Sequence, residues 1–290
     1  MEMDFSKFFE KYERLVADVD KAFEQVQAQH GDCIKCHEGC SDCCHALFDL
    51  SLIEALYLNH KFNAAFKGQQ RSELLDRADT AERQGYKIKR EAFTLSRDGA
   101  RTEEILESIS KARVRCPLLD ADEKCELYDS RPITCRLYGI PTSIGGKAHT
   151  CGKAGFKEGV QYPTVQIEKL QDRLAMLSVE FAQSLRTKFT RLAEAYVPVS
   201  MALMNRYGAE YLGLLSDEEW EKIEKVKATM AGAIQVGDSM PKPGAAAVQT
   251  FEGAAQDQSS ACASCSEQQG SDACSTCGTL NWELGGGKEK

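Results

Sequence analysis

The 290-residue chain has no excess of positive charge. Its formal net charge is −8 and its pI is near 5.3, which excludes the broad basic surface that nucleic-acid binding needs. The densest basic stretch, Lys87, Lys89 and Arg90 near Arg83, reads as the solvated face of a helix. Long apolar runs are also lacking. No stretch approaches the roughly 18 apolar residues of a membrane span, so no membrane partner is expected. The opening MEMDFSKFFEKYERL carries early acids, no extended apolar run and no small-x-small cleavage site, so it does not read as a secretory signal. The expected location is cytoplasmic. A phosphate loop is missing too: GIPTSIGGK at 139–147 lacks the G-x4-G-K-[ST] pattern and a preceding strand, and reads as a turn. No general acid–base pair stands out, so the sequence names no reaction.

What the chain has is cysteine, thirteen in all. Cys33, Cys36, Cys40, Cys43 and Cys44 crowd into CIKCHEGCSDCC. Cys116, Cys125, Cys135 and Cys151 follow, and Cys262, Cys265, Cys274 and Cys277 form two C-x2-C pairs near the end. None lies alone on an apolar stripe, where a core-packing cysteine would sit. In a reducing compartment such density points to metal or catalysis rather than disulfides. A chain of this size can bury a full core without disulfides, and the odd count points the same way.

The fold class expected is mostly α, an irregular helical domain whose cysteine-rich loops hold a metal site, with a small tethered metal-binding tail. Phe5, Phe8, Phe9, Tyr12, Leu15, Val16, Val19, Phe23 and Val26 predict one amphipathic helix over about 3–29, closed by a left-handed Gly31. Ser51 and Glu54 form a capping box before an apolar run. Helices are predicted over 68–93 and 101–113. The segment 116–159 is predicted as loops and turns with one short helix starting at Ser130-Arg131-Pro132. Val165 through Tyr196 predict a helix of some thirty residues, with shorter ones at 199–207 and 216–230, the latter opened by the capping box of Ser216 and Glu219. The Ala-, Gly-, Gln- and Ser-rich stretch 231–260 reads as a flexible linker. The helical domain is thus 1–230, with a chelating core at about 33–155 and a tail at 261–290.

Thiolates are soft anionic ligands that select zinc, iron–sulfur clusters or copper(I). Cys40-x2-Cys43 and Cys33-x2-Cys36 can each turn two sulfurs toward one metal, whereas the adjacent Cys43 and Cys44 reach the same ion awkwardly. Cys116 is followed by Pro117, as the last cysteine of bacterial ferredoxin motifs is. Together, C-x3-C-x2-C-C, then C-P-x-L, then C-x-L-Y-x2-R-P-x2-C-R-x-Y and a final cysteine resemble the YkgJ-type cysteine-cluster family of zinc- or iron-chelating domains, related to the cysteine-rich part of flagellin lysine-N-methylases. The resemblance covers about residues 33–155. It implies eight metal ligands, namely Cys36, Cys40, Cys43, Cys44, Cys116, Cys125, Cys135 and Cys151. The commoner family spacing before the double cysteine is C-x2-C, so Cys33 is an extra thiol here.

Eight thiols exceed one tetrahedral zinc and suit one cluster with spare thiols, two clusters, or two zinc ions. An iron–sulfur cluster in the core is the favoured cofactor. Arg131 and Arg136 bracket Cys135, and either stabilise an anionic cluster or substrate or pair with Asp129, Glu126 or Asp122. Tyr128 and Tyr138 read as packing residues, and His37, His45 and His149 as loop histidines. The pairs Cys262/Cys265 and Cys274/Cys277 give C-x2-C-x8-C-x2-C, a four-thiolate signature for zinc or a second cluster, with metal supplying the folding energy of so short a tail. The functional expectation is a cysteine-ligated metalloprotein in electron transfer or redox and metallocofactor maturation, with a redox or client protein as partner. The competing readings are a non-enzymatic zinc chaperone or interaction module and, by kinship alone, a methyltransferase-like enzyme.

Overall fold

A computed structural model of the chain describes residues 4–234. The tail with Cys262, Cys265, Cys274 and Cys277, and all but the first residues of the expected linker, lie outside them. The described elements are α1 (Ser6–His30), β1 (Asp49–Ser51), α2 (Leu52–Ala65), α3 (Gly68–Arg97), α4 (Thr102–Lys111), α5 (Ile133–Leu137), β2 (Thr142–Ile144), β3 (Lys147–His149), β4 (Val165–Gln166), α6 (Ile167–Gln183), β5 (Tyr196–Pro198), α7 (Val199–Met204) and α8 (Asp217–Ile234). The class is mostly α. The chain divides after Leu214 into two units. The described part of the second holds α8, opened by the predicted capping box: Ser216 donates its N–H and hydroxyl to Glu219 at 2.8 and 2.9 Å.

In the first unit α2 is the central element. Leu52, Ile53, Leu56 and Tyr57 enter a core shared with Phe8, Tyr12, Leu15 and Val19 of α1 and Leu170, Leu174 and Phe181 of α6. Ala55, Leu58 and Phe62 enter a second core with Leu74 and Ala78 of α3 and Ala202 and Leu203 of α7. A helix apolar on every side has to be covered on every side, and α2 is from Leu52 through Asn59, with His60, Ala64 and Ala65 exposed towards its end. Asn59, a buried polar residue on α2, donates to the carbonyls of Ala202 and Asn205 at 2.8 and 3.0 Å, satisfying the end of α7.

The strands are short. β1 pairs antiparallel with β5, and β2 pairs antiparallel with β3 and parallel with β4. The β2–β3 turn is Gly145-Gly146, at φ 57° and 73°, the left-handed pair a two-residue hairpin needs. GIPTSIGGK, read from the sequence as a turn, therefore holds the strand β2 as well, and only its Gly145-Gly146 step is the turn, leading into β3 at Lys147.

Two expectations are corrected. Gly31 does not reverse the chain: at φ −55° it stays right-handed and leads into a tight turn over Gly31–Cys33, closed by Ile34 N–H on the Gly31 carbonyl at 3.0 Å. The thirty-residue helix is also broken, for α6 stops at Gln183. Beyond it Thr187 donates its hydroxyl to the Leu212 carbonyl at 2.6 Å, and Lys188 N–H bonds the Gly213 carbonyl at 2.9 Å. Those tertiary bonds replace the i→i−4 ladder. Leu192 still reaches the core from a tight turn, while Phe189 and Tyr196 are left largely exposed.

Candidate metal centre

Backbone bonds bring the early and middle cysteines together. Cys43 and Cys44 lie in a tight helical turn over Asp42–His45. Cys116 N–H donates to the Cys44 carbonyl at 2.7 Å, Val114 N–H donates to the His45 carbonyl at 3.0 Å, and Ala46 and Arg113 form an antiparallel bridge. The chain then folds on itself, with Glu126 N–H on the Leu118 carbonyl at 2.8 Å and a bridge between Leu119 and Cys125. Arg77 of α3 reinforces this fold by bonding the Leu119 carbonyl at 2.9 Å and pairing with Glu126. Cys135 arrives on α5. The first N–H of that helix, on Ile133, donates to Glu54 at 3.2 Å, and the same carboxylate accepts the Ser51 N–H and hydroxyl at 3.1 and 2.9 Å. One buried glutamate therefore caps α2 and fixes the start of α5.

The result is a largely apolar cavity of about 70 Å³ walled in part by Cys43, Cys44, Cys116, Cys125 and Cys135, with Arg131 among them. None of the nine described cysteines is in a disulfide. The remaining candidates sit outside this wall. Cys36 is exposed, and Gly139 passes so close that a Cβ there would lie 2.3 Å from its sulfur. Cys151 receives the Lys153 N–H at 3.4 Å and lies 3.7 Å from Asp42, which also pairs with Arg113. Cys33, the extra thiol, holds the Gly155 N–H on its carbonyl at 2.7 Å. Among the described residues no three His, Cys, Asp or Glu side chains close on a single point as metal ligands would. The case for a metal rests on the donors themselves, which are free thiols crowded at one place.

Their electrostatics agree with that. The Cys44 thiol donates to Cys43 and holds it down at about 7, while that bond and burial push Cys44 far up. Burial lifts Cys116 to about 12 and raises Cys125 and Cys135, and repulsion between the thiols adds to each shift. Burial, with the charges of Cys40, Cys151 and Cys43, lifts Cys36 to about 11. The positive charge of Arg131 opposes the rise at Cys36, Cys125 and Cys135 and helps to lower Cys43. Burial and mutual repulsion thus keep Cys36, Cys116, Cys125 and Cys135 as protonated thiols while no metal is bound, and a bound metal would deprotonate those it takes as ligands.

The two arginines separate in role. Arg131 stacks over Tyr128 with its guanidinium carbon 3.5 Å from the ring centre and keeps its charge among the thiols. Arg136 is committed elsewhere. It grips Asp20 of α1 at 2.8 and 3.0 Å and bonds the carbonyls of Arg131 and Asp129. Its carboxylate partner is thus Asp20, not the neighbouring acids. His37 and His45 turn their Nδ1 atoms to the carbonyls of Glu38 and Ser41 at 2.8 and 3.0 Å, and His149 is exposed on β3. Tyr138 is half-buried beside Arg113 and Asp42, and burial raises its hydroxyl above the usual value. Sequence reasoning missed Gly139, Asp42 and Asp20. Only Asp42 carried a local signal, since it lies between Cys40 and Cys43.

Comparison with known proteins bears on the same stretch of chain. Residues 35–152 match the family model CxxCxxCC, described as a putative zinc- or iron-chelating domain. The matched range takes in Cys36 through Cys151 and leaves Cys33 outside. No curated protein and no solved structure matches the chain. Over residues 35–152 the chain is therefore similar to the CxxCxxCC zinc- or iron-chelating domains, a likeness that supports cysteine-ligated metal binding.

Proposed function

We propose that this protein is an iron–sulfur protein serving electron transfer or redox and metallocofactor maturation. One observation carries the reading: five free thiols and one arginine gathered around a single apolar cavity. Five sulfurs supply the four thiolates that an iron–sulfur cluster takes and leave one to spare. An apolar, low-dielectric surround with a nearby cation is also the setting by which proteins tune cluster potentials. Cys43, Cys116, Cys125 and Cys135 are the residues we assign to hold the cluster, with Cys44 as the spare or exchanging thiol. The cluster, when bound, supplies one-electron exchange. The chain's own part is to exclude water, to set Arg131 against the charge of the thiolates and to hold the two cysteine segments in register through their backbone bonds. Cys36, Cys40 and Cys151 form an outer group at which metal enters or a second ion is held. Cys262, Cys265, Cys274 and Cys277 are assigned to a separate zinc or cluster site.

A zinc-holding, non-enzymatic role is favoured by one observation, the exposure of Cys36, where an ion can be handed to a client. Colour separates the two. Anaerobically purified protein should be brown, absorb broadly near about 400 nm and release acid-labile sulfide. Colourless protein with stoichiometric zinc would overturn the iron–sulfur reading. Cys116→Ser or Cys135→Ser should abolish the core metal, whereas Cys262→Ser should leave it in place.

A further inference from the structure

We infer that the outer face of α3 is a docking surface for an acidic protein partner. Arg83, Tyr86, Arg90, Phe93 and Arg97 recur at three- and four-residue intervals and therefore share one face of the helix. All five are exposed, Tyr86 by 62% and Phe93 by 70%. A rise of 1.5 Å per residue sets the two rings about 10 Å apart along the axis, each flanked by arginines. The sequence's densest basic stretch thus divides. Lys89 turns inward to Asp49 at 2.6 and 2.8 Å, while Arg90 joins the outer stripe. Arg83 and Arg97 lie against Asp79 and Asp98 at 2.8 and 3.2 Å, exposed pairs of small worth that a partner's carboxylates can replace.

Arginines interleaved with exposed aromatics form the composition that dominates protein interfaces, where Tyr and Arg are the commonest energetic anchors. The occupant follows from charge. The stripe is a narrow cationic band on a chain of net charge −8. A long polyanion or an anionic membrane would meet the acidic remainder of the surface, whereas a compact acidic patch with apolar residues matches the band alone. The inner face of the same helix turns, at Ala81, Glu82 and Gly85, lines the thiol cavity. A partner seated on the stripe is therefore one helix thickness from the metal centre. The surface stands whichever metal the centre holds.

The test uses the full-length, metal-loaded protein and a synthetic amphipathic helical peptide with a Glu/Leu pattern, titrated by fluorescence anisotropy at low and at moderate salt. The peptide should bind, more weakly as salt rises. R83E/R90E should weaken binding at least tenfold, and Y86A/F93A should weaken it at both salt levels. A peptide with Lys in place of Glu should not bind, and metal content should stay at the wild-type level in both variants. Wild-type affinity retained by the variants, or no binding of the acidic peptide, overturns the assignment. So does stronger binding of oligo(dT) or phosphatidylserine vesicles that the same variants abolish. Metal analysis of the same samples reports separately on the iron–sulfur reading.

Discussion

At the scale of single residues, Gly139 shows how space can be as specific as charge. Its φ is not in the left-handed region. What it supplies is the absence of a Cβ that would sit 2.3 Å from the Cys36 sulfur and 3.4 Å from Phe23. Gly139→Ala should push the Cys36 thiol outward at a cost of about 1–3 kcal/mol, the usual scale of overpacking. Timed iodoacetamide labelling read by mass spectrometry should show Cys36 modified faster in the variant, with Cys116 and Cys135 unchanged. Equal labelling of Cys36 would show that the loop yields freely. The thiols themselves were legible in the sequence because each belongs to a spaced motif. Gly139 was not, because its function is a clearance from a residue about a hundred positions earlier. Asp20 was hidden for the same reason: its bond to Arg136 spans 116 residues, and neither residue carries a local sign of the other.

At the scale of elements, capping boxes were readable and the length of α6 was not. The Ser51/Glu54 and Ser216/Glu219 boxes are local chemistry, complete within four residues, and both form. The break after Gln183 is set by the distant carbonyls of Leu212 and Gly213, which periodicity cannot see. Glu54 joins both kinds of information. Its removal as Glu54→Ala leaves the Ser51 and Ile133 N–H groups unpaired in the interior, and should cost about 2–4 kcal/mol in urea denaturation. Burial also holds its carboxyl above the ordinary 4.5. The folded state therefore binds the proton more tightly than the unfolded chain, and the stability this group contributes is present below 4.5 and lost as the pH rises through the raised value. Unfolding midpoints collected across that window should fall with pH in the wild type and flatten in Glu54→Gln. An unchanged slope in Glu54→Gln would assign the pH dependence to another group.

At the scale of the whole molecule, the thiol cavity borders the second core, with which it shares Leu118 and Leu127, while the first core holds no cysteine. Phe8, Tyr12, Phe62 and Phe181 pack two apolar cores that involve no cysteine more than partly. Stripping the metal with a chelator under reducing conditions should lower the melting temperature by mass action while far-UV circular dichroism keeps most of its helical signal. Amide exchange should rise at 33–46 and 113–126, and stay slow in α2. Collapse of the helical signal on chelation would show that the metal holds the fold rather than only its loops. The class, mostly α, was readable from hydrophobic periodicity because these cores are helical faces. The placement of the thiols on one cavity was not, since it depends on which loops the helices bring together.

The bond from Cys116 N–H to the Cys44 carbonyl has a consequence in time. Cys44 and Cys116 are about seventy residues apart in the chain. At translation speeds of about 5–20 residues per second, the early thiols leave the ribosome roughly 4–14 s before their partners. A newly made chain therefore exposes Cys33 to Cys44 as an unfinished chelator, in competition with every free soft ion in its surroundings. Correct loading then depends on keeping those sulfurs reduced and empty until synthesis has delivered the second segment.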